Sequence, residues 1–217
     1  MHVAASIYDV DGFDTSAAQV ARLHARGTRV VCYIDVGTWE DWRPDAGAFP
    51  KSVLGNGDGW PGERWLDIRR LSVLEPIMRR RLQMCARKGF DGVEPDNLDP
   101  LGNDPGFPIT RVQVIRYARW IAATSHGLGL AVLQKNGPEL ARALQPDFDG
   151  ALVEQCNEYE ECGAFAPYLR AGKPVLNAEY LRRLYPGFCA ADDRRGISGA
   201  LYDLALDGAL YRPCSLR

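Results

Sequence analysis

Two hydrophobic rhythms alternate along the chain. Short, continuously apolar runs lie near residues 7–11, 30–36, 91–97, 130–136, 151–155, 174–180 and 199–203, and most of them end in acid or amide. Between them, apolar residues recur three and four apart. Ala17, Val20 and Leu23 share one face; Leu74, Ile77, Met78, Leu82 and Cys85 a second; Val114, Ile115, Ala118, Ile121 and Ala122 a third. The first rhythm predicts buried strands and the second amphipathic helices. Asp14 or Thr15, Ser72 and Thr110 are candidate N-caps, and Gly27, Gly89 and Gly127 candidate stops. Pro76 falls in the first turn of the second helix, where proline is tolerated. Shorter helices are expected at 138–144 and 164–171.

Continuously apolar strands separated by helices imply parallel strands covered on both faces. The early GxGxxG or Walker loop of a doubly wound nucleotide binder is absent. Polar residues at the C-terminal end of nearly every strand favour a barrel, where all such ends converge on one face. The expected fold class is therefore α/β, a (β/α)8 TIM-barrel-like single domain over residues 1–217, although seven strands are recognisable. Either one strand is hidden in the pattern or the first unit is missing.

The stretch from Gly89 to Asn97 organises this picture. Residues 91–93 read as entry into a strand, and 94–97 as the mouth of a pocket. Pro95 has no N–H to donate, so the ladder is expected to end there. Residues 37–67 read as one long loop holding Trp39, Trp42, Trp60 and Trp65, four of the five tryptophans. These rings either pin the loop to the body or offer a stacking surface to a sugar.

Composition narrows the function. The net charge is −2 across 217 residues, and the basic run Arg79-Arg80-Arg81 reads as a solvated helix face, so nucleic acid is not an expected partner. The three histidines lack metal-ligand spacing, and no apolar run is long enough for a membrane span. No metal or cofactor is expected. The start of the chain has no basic n-region or long apolar run, so it is not read as a signal peptide. Disulfides are expected between Cys156 and Cys162 and between Cys189 and Cys214, while Cys32 and Cys85 read as buried thiols.

If the strand ends converge, one mouth gathers Asp9, Asp11, Asp35, Glu94, Asp96, Glu154, Glu179 and Asp203, with Lys135, Asn97, Asn136, Gln155, Tyr33 and Tyr180. Crowded carboxylates suit acid–base work or capture of a cation. Glycoside hydrolysis needs two, one protonated and one ionised, across the scissile bond. Asp96 and Glu154 end strands separated by one other strand. A Mg²⁺ or Ca²⁺ site would use the same ligand types but lacks any recognisable spacing, and no histidine or GxSxG accompanies Cys156.

The DGVEPDN segment resembles glycoside hydrolase family 114, the endo-α-1,4-polygalactosaminidases. So do YDVDGFDTS, CYIDVGTWEDWRPDAGAFP, GWPGERWLDIR, VEQCNEYEEC and VLNAEY, in that order along nearly the whole chain. The resemblance implies a TIM-barrel enzyme, secreted or at the cell surface, that cuts a cationic galactosamine exopolysaccharide of biofilms. It implies Asp96 and Glu154 as the catalytic carboxylates, Asp96 as nucleophile and Glu154 as acid/base if configuration is retained. Substrate contacts are then expected from Asp11, Asp35, Trp39, Trp42, Glu94, Asn97, Lys135, Asn136, Glu179, Tyr180 and Asp203. The acids would meet the ammonium groups of the polymer, and binding would weaken with salt. A rival class is a barrel that binds carbohydrate without cutting it; another is a barrel hydrolase on a different polysaccharide. Family members begin with an aromatic strand that residues 1–6 do not resemble, so the chain is expected to be shortened at its N-terminus, with an open seam beside its first and last strands. A monomer is expected.

Overall fold

The computed structural model describes residues 5–214. Residues 1–4, where part of the expected N-terminal departure falls, lie outside the described residues. Ala5–Lys135 makes one compact unit and the described residues from Asn136 onward another.

The first unit runs β1 (Ile7–Asp11), α1 (Ala17–His24), β2 (Arg29–Asp35), β3 (Thr38–Glu40), β4 (Leu54–Gly57), β5 (Glu63–Leu66), α2 (Leu71–Lys88), β6 (Gly92–Asp96), α3 (Arg111–Gly127) and β7 (Ala131–Lys135). β1, β2, β6 and β7 are parallel neighbours in that order. β2 carries the apolar run, and its Val30, Cys32 and Ile34 are wholly buried, as a strand covered on both faces requires.

Pro95 does not end β6. Pro95 lies opposite Ile34 and Asp96 opposite Asp35, so pairing to β2 continues through both. Toward β7 the register stops at Val93–Val132. A proline lacks one donor and still offers a carbonyl, so it interrupts the ladder on one side only. Asp96 carbonyl then accepts Val36 and Gly37 N–H, both at 3.2 Å.

Leu74, Ile77, Met78, Leu82 and Cys85 of α2 are buried as the periodicity predicts, and Gly89 closes the helix at φ 86°, a left-handed position that glycine takes without strain. Ser72 is inside α2 and not its cap; Ser16, not Asp14 or Thr15, caps α1. Thr110 caps α3 in a reciprocal box with Gln113.

The expected long loop is instead a small antiparallel sheet in the order β3-β5-β4. What pins it is Arg81, which is not on a solvated face but 1% exposed. Its guanidinium donates twice to Asp45, at 2.8 and 2.9 Å, and to the Asp35 carbonyl at 2.6 Å. Arg43 binds Glu40 and Asp11, both at 2.7 Å. A buried guanidinium must find such partners, because desolvating it alone is costly. Cys32 and Cys85 are not free thiols: they form a disulfide joining β2 to α2.

The second unit holds α4 (Ala141–Leu144), β8 (Gly150–Glu154), α5 (Ala166–Arg170), β9 (Val175–Glu179), α6 (Gly187–Arg195), β10 (Ser198–Tyr202) and β11 (Tyr211–Pro213). β8, β9 and β10 are parallel, and β11 returns antiparallel to β10. α6 and β11 escaped the sequence reading; α6 is polar, with only Phe188 and Asp192 buried. Phe188, Leu201, Leu210 and Cys214 form a buried cluster there. Both expected disulfides, Cys156–Cys162 and Cys189–Cys214, are present. Four parallel strands in the first unit and three in the second thus account, among the described residues, for the seven that the pattern predicts. Among the same residues, no helix is long and apolar enough to cross a membrane.

Candidate active site

In β6, side chains two apart share a face, which places Glu94 beside Asp96 at the end of the strand. Lys135, the last residue of β7, reaches both. Its Nζ lies 2.7 Å from Glu94 Oε1 and 3.2 Å from Asp96 Oδ1. The Tyr33 hydroxyl donates to Asp96 Oδ2 at 2.9 Å, and Asn97 N–H donates to Oδ1 at 2.8 Å. Both oxygens of Asp96 are therefore oriented. Burial, then the neighbouring Asp96 and Asp35, raise the Tyr33 phenol above its ordinary range, so it remains a proton donor at neutral pH. Glu94 is buried, and burial raises its carboxyl although Lys135 opposes the shift.

Asp35 sits behind this group. It accepts Gly37 N–H at 2.9 Å, Thr38 N–H at 2.6 Å, the Thr38 hydroxyl, and the Asn97 amide at 2.6 Å. Burial foremost, and then Asp96, push it up to about 8. Its partners are backbone and neighbouring side chains, so it builds the turn that presents Asn97. Gly37 is required in that turn, since a Cβ would fall 1.7 Å from the Asn97 carbonyl oxygen. Asp11 is turned to Arg43 and to the Phe13 and Asp14 N–H groups. Trp39 is pinned by its Nε1 donating to Ala46 carbonyl at 3.0 Å, and Trp65 is buried. Trp42 and Trp60 are 52% and 62% exposed. Trp39 and Trp65 are thus the rings that pin this segment, and Trp42 and Trp60 are left open to solvent.

In the second unit, Glu154 ends β8. Asn136 donates to its Oε2 at 3.0 Å and accepts its backbone N–H at 2.9 Å. The Tyr180 hydroxyl donates to Oε1. Glu179 is wholly buried and accepts Asn157 N–H at 2.8 Å and the Asn177 amide at 3.2 Å. Asp203 follows β10, with Oδ1 buried and no donor to it among the described residues. Cys156, Cys162 and Asp192 lie close enough to suggest a metal cluster, but the two sulfurs are bonded to each other and Asp192 accepts the amides of Asn157 and Asn177 at 2.8 and 2.9 Å.

Three strand ends share one device. Asp96, Lys135 and Glu154 are each followed by an amide residue in left-handed conformation: Asn97 at φ 60°, Asn136 at 44° and Gln155 at 56°. Side chains rarely take this conformation, and it concentrates at functional sites. It turns the chain immediately after the charged residue, leaving that residue at the strand tip. The sequence offers the charged residue–amide dipeptides but not the backbone conformation. Asp9 and Tyr33 read as residues of the strand-end mouth without assigned roles, but both lie within their strands; Glu63 of β5 gave no signal at all. Burial and a hydrogen bond with Asp58 push Glu63 up to about 9.

The model of glycoside-hydrolase family GH114 matches residues 1–216. A crystal structure of Aspergillus fumigatus Ega3 in complex with galactosamine is 32% identical, covers 98% of this chain and 89% of its own, and superposes with a TM-score of 0.93. The glycoside hydrolase domain of PelA from Pseudomonas aeruginosa is 17% identical, with 95% and 90% coverage and a TM-score of 0.72; it shows the fold. An uncharacterised protein of Deinococcus radiodurans is 25% identical over 198 residues, 80% of this chain; the chain spans 62% of that relative's length. The fold class is α/β of the TIM-barrel type, and the chain belongs to glycoside-hydrolase family GH114.

Proposed function

We propose that this protein is an endo-acting glycoside hydrolase of α-1,4-linked galactosamine polymer, with Asp96 and Glu154 as its two carboxylates. The observation that carries the reading is how these two residues are held. Each ends a parallel strand, each is followed by a left-handed amide residue, and each has both oxygens engaged by donors. Membership of a glycoside-hydrolase family supports the reaction class. The galactosamine complex of Ega3 supports an amino sugar.

The two environments suit two roles. Asp96 is ion-paired to Lys135, which favours an ionised nucleophile. Glu154 is held by a neutral phenol and a neutral amide, and such a carboxyl can give a proton to the leaving oxygen and later take one from water. Glu94, Asn97, Lys135, Asn136 and Tyr180 support these two carboxylates, Asp35 builds the turn that presents Asn97, and Asp11, Glu179 and Asp203 add the negative field that a polyammonium chain requires. Trp42, exposed, is the stacking candidate, while Trp39 is tied to the Ala46 carbonyl. Three disulfides support an extracellular or cell-surface setting.

The test is hydrolysis of deacetylated polygalactosamine by pure protein. Asp96→Asn and Glu154→Gln should each lower turnover by roughly 10²–10⁴-fold, with oligosaccharide products of mixed length from the parent. Wild-type turnover in both variants would refute the assignment. Tight polymer binding without product would mark a binding protein instead. The anomeric proton signal of the first product gives the stereochemical course. Retention corresponds to carboxyls about 5–5.5 Å apart and inversion to about 6.5–9.5 Å.

A further inference from the structure

One buried acid has no part in the account so far. Asp9 lies in the middle of β1; its two carboxyl oxygens are buried, and no N–H or O–H donor among the described residues reaches either of them. What it meets is the carboxyl of Glu94. Two ionised carboxylates repel and cannot hydrogen-bond; contact requires that one has kept its proton. Lys135 decides which one. Its ammonium is 2.7 Å from Glu94 Oε1, so the negative charge belongs on Glu94 and the proton on Asp9.

We propose that Asp9 is a positioning residue for Asp96: it donates a retained proton to Glu94, which seats Lys135 so that the ammonium also faces Asp96. The chain of contacts is Asp9 to Glu94, Glu94 to Lys135 and Lys135 to Asp96, the last at 3.2 Å. This rests on the reading of Asp96 as the nucleophile. Charge is sorted along it. Asp9 is neutral, its two oxygens buried; Glu94 and Lys135, with side chains 7% and 5% exposed, form a pair; the surplus negative charge falls on Asp96, whose side chain, at 17%, is more open than that of Glu94. Burial and the Glu94 charge raise Asp9 well above the carboxylate range, in keeping with this order. The other groups facing the cluster are Tyr33 of β2, whose ring lies 5.9 Å from Lys135 Nζ, and Asp35. An ionised Asp9 would add a third anion competing for one ammonium.

Asparagine and alanine at position 9 separate the possibilities, because asparagine keeps a neutral donor toward Glu94 and alanine does not. Asp9→Asn should keep kcat/KM within about fivefold of wild type. Asp9→Ala should lower it by about tenfold and move the acidic limb of the pH–rate profile by about one unit. Independently of activity, the Asp9 carboxyl carbon in ¹³C-aspartate-labelled protein, assigned with Asp9→Asn, should hold the protonated shift over the pH range just above the ordinary aspartate pKa of about 3.9. An ionised shift in that range overturns the proposal, as does an Asp9→Asn variant as impaired as Asp9→Ala. An Asp9→Ala variant with wild-type kinetics and an unmoved profile overturns the positioning role. Asp96→Asn is run alongside. If it retains turnover while the Asp9 signal stays protonated, the nucleophile assignment fails and the buried proton stands.

Discussion

Asn136 clasps Glu154 from two sides, its amide N–H donating to the carboxylate at 3.0 Å and its carbonyl accepting the Glu154 backbone N–H at 2.9 Å. One side chain thus sets both the backbone and the carboxyl of the proposed acid/base. Asn136→Ala removes both bonds and places a Cβ residue without a local hydrogen bond at φ 44°. A hydrogen bond to a charged group is worth about 1.5–3 kcal/mol, so kcat should fall roughly 10–100-fold. Steady-state kinetics with the polymer, beside a melting curve to confirm folding, checks this.

Arg81 offers a stability test away from the proposed chemistry. Removing one partner of a buried ion pair costs about 3–5 kcal/mol, so Arg81→Ala should lose that much in denaturant unfolding. Arg81→Lys should recover little of it, because an ammonium cannot reproduce the two parallel bonds to Asp45.

The Cys32–Cys85 disulfide closes a loop between positions 53 residues apart. Loops of this length are stabilised by about 2–4 kcal/mol. The double variant Cys32→Ala with Cys85→Ala should unfold at correspondingly lower urea, and the reduced wild type should shift in the same direction.

Glu63 makes stability depend on pH. Its folded value, about 9, exceeds the ordinary 4.5, from burial first and the bond with Asp58 second. The folded state therefore holds a proton that the unfolded chain releases between those values. The contribution is full below about pH 4.5 and is lost as pH rises toward 9. The wild-type unfolding midpoint, relative to that of Glu63→Gln, should fall over this range. A constant difference between the two proteins would show that Glu63 titrates normally.

Much of this architecture was legible because it is local. The apolar face of α2 and the strands at 30–36 and 174–180 announce themselves by period, and buried residues occupy the predicted positions. Arg81 was misread for the same reason. Within its own stretch it belongs to a basic run, and only Asp45, 36 residues earlier, reveals that it is buried. The small β3-β5-β4 sheet was hidden by its glycines and short strands, and the Cys32–Cys85 bond by two settings that each look like an ordinary apolar core. α6 is too polar to show an apolar stripe.

The sequence by itself determined the alternation of strand and helix and the presence of acid at the strand tips, because apolar period and turn chemistry act over a few residues. Tertiary structure decided what each acid is. Asp9, Asp35, Glu94 and Asp96 are similar carboxylates on paper. Their roles diverge only when Lys135, 41 residues from Glu94, and Tyr33, 63 residues from Asp96, are brought against them. The free energy of a charge depends on its distance from solvent and from other charges, and folding sets those distances.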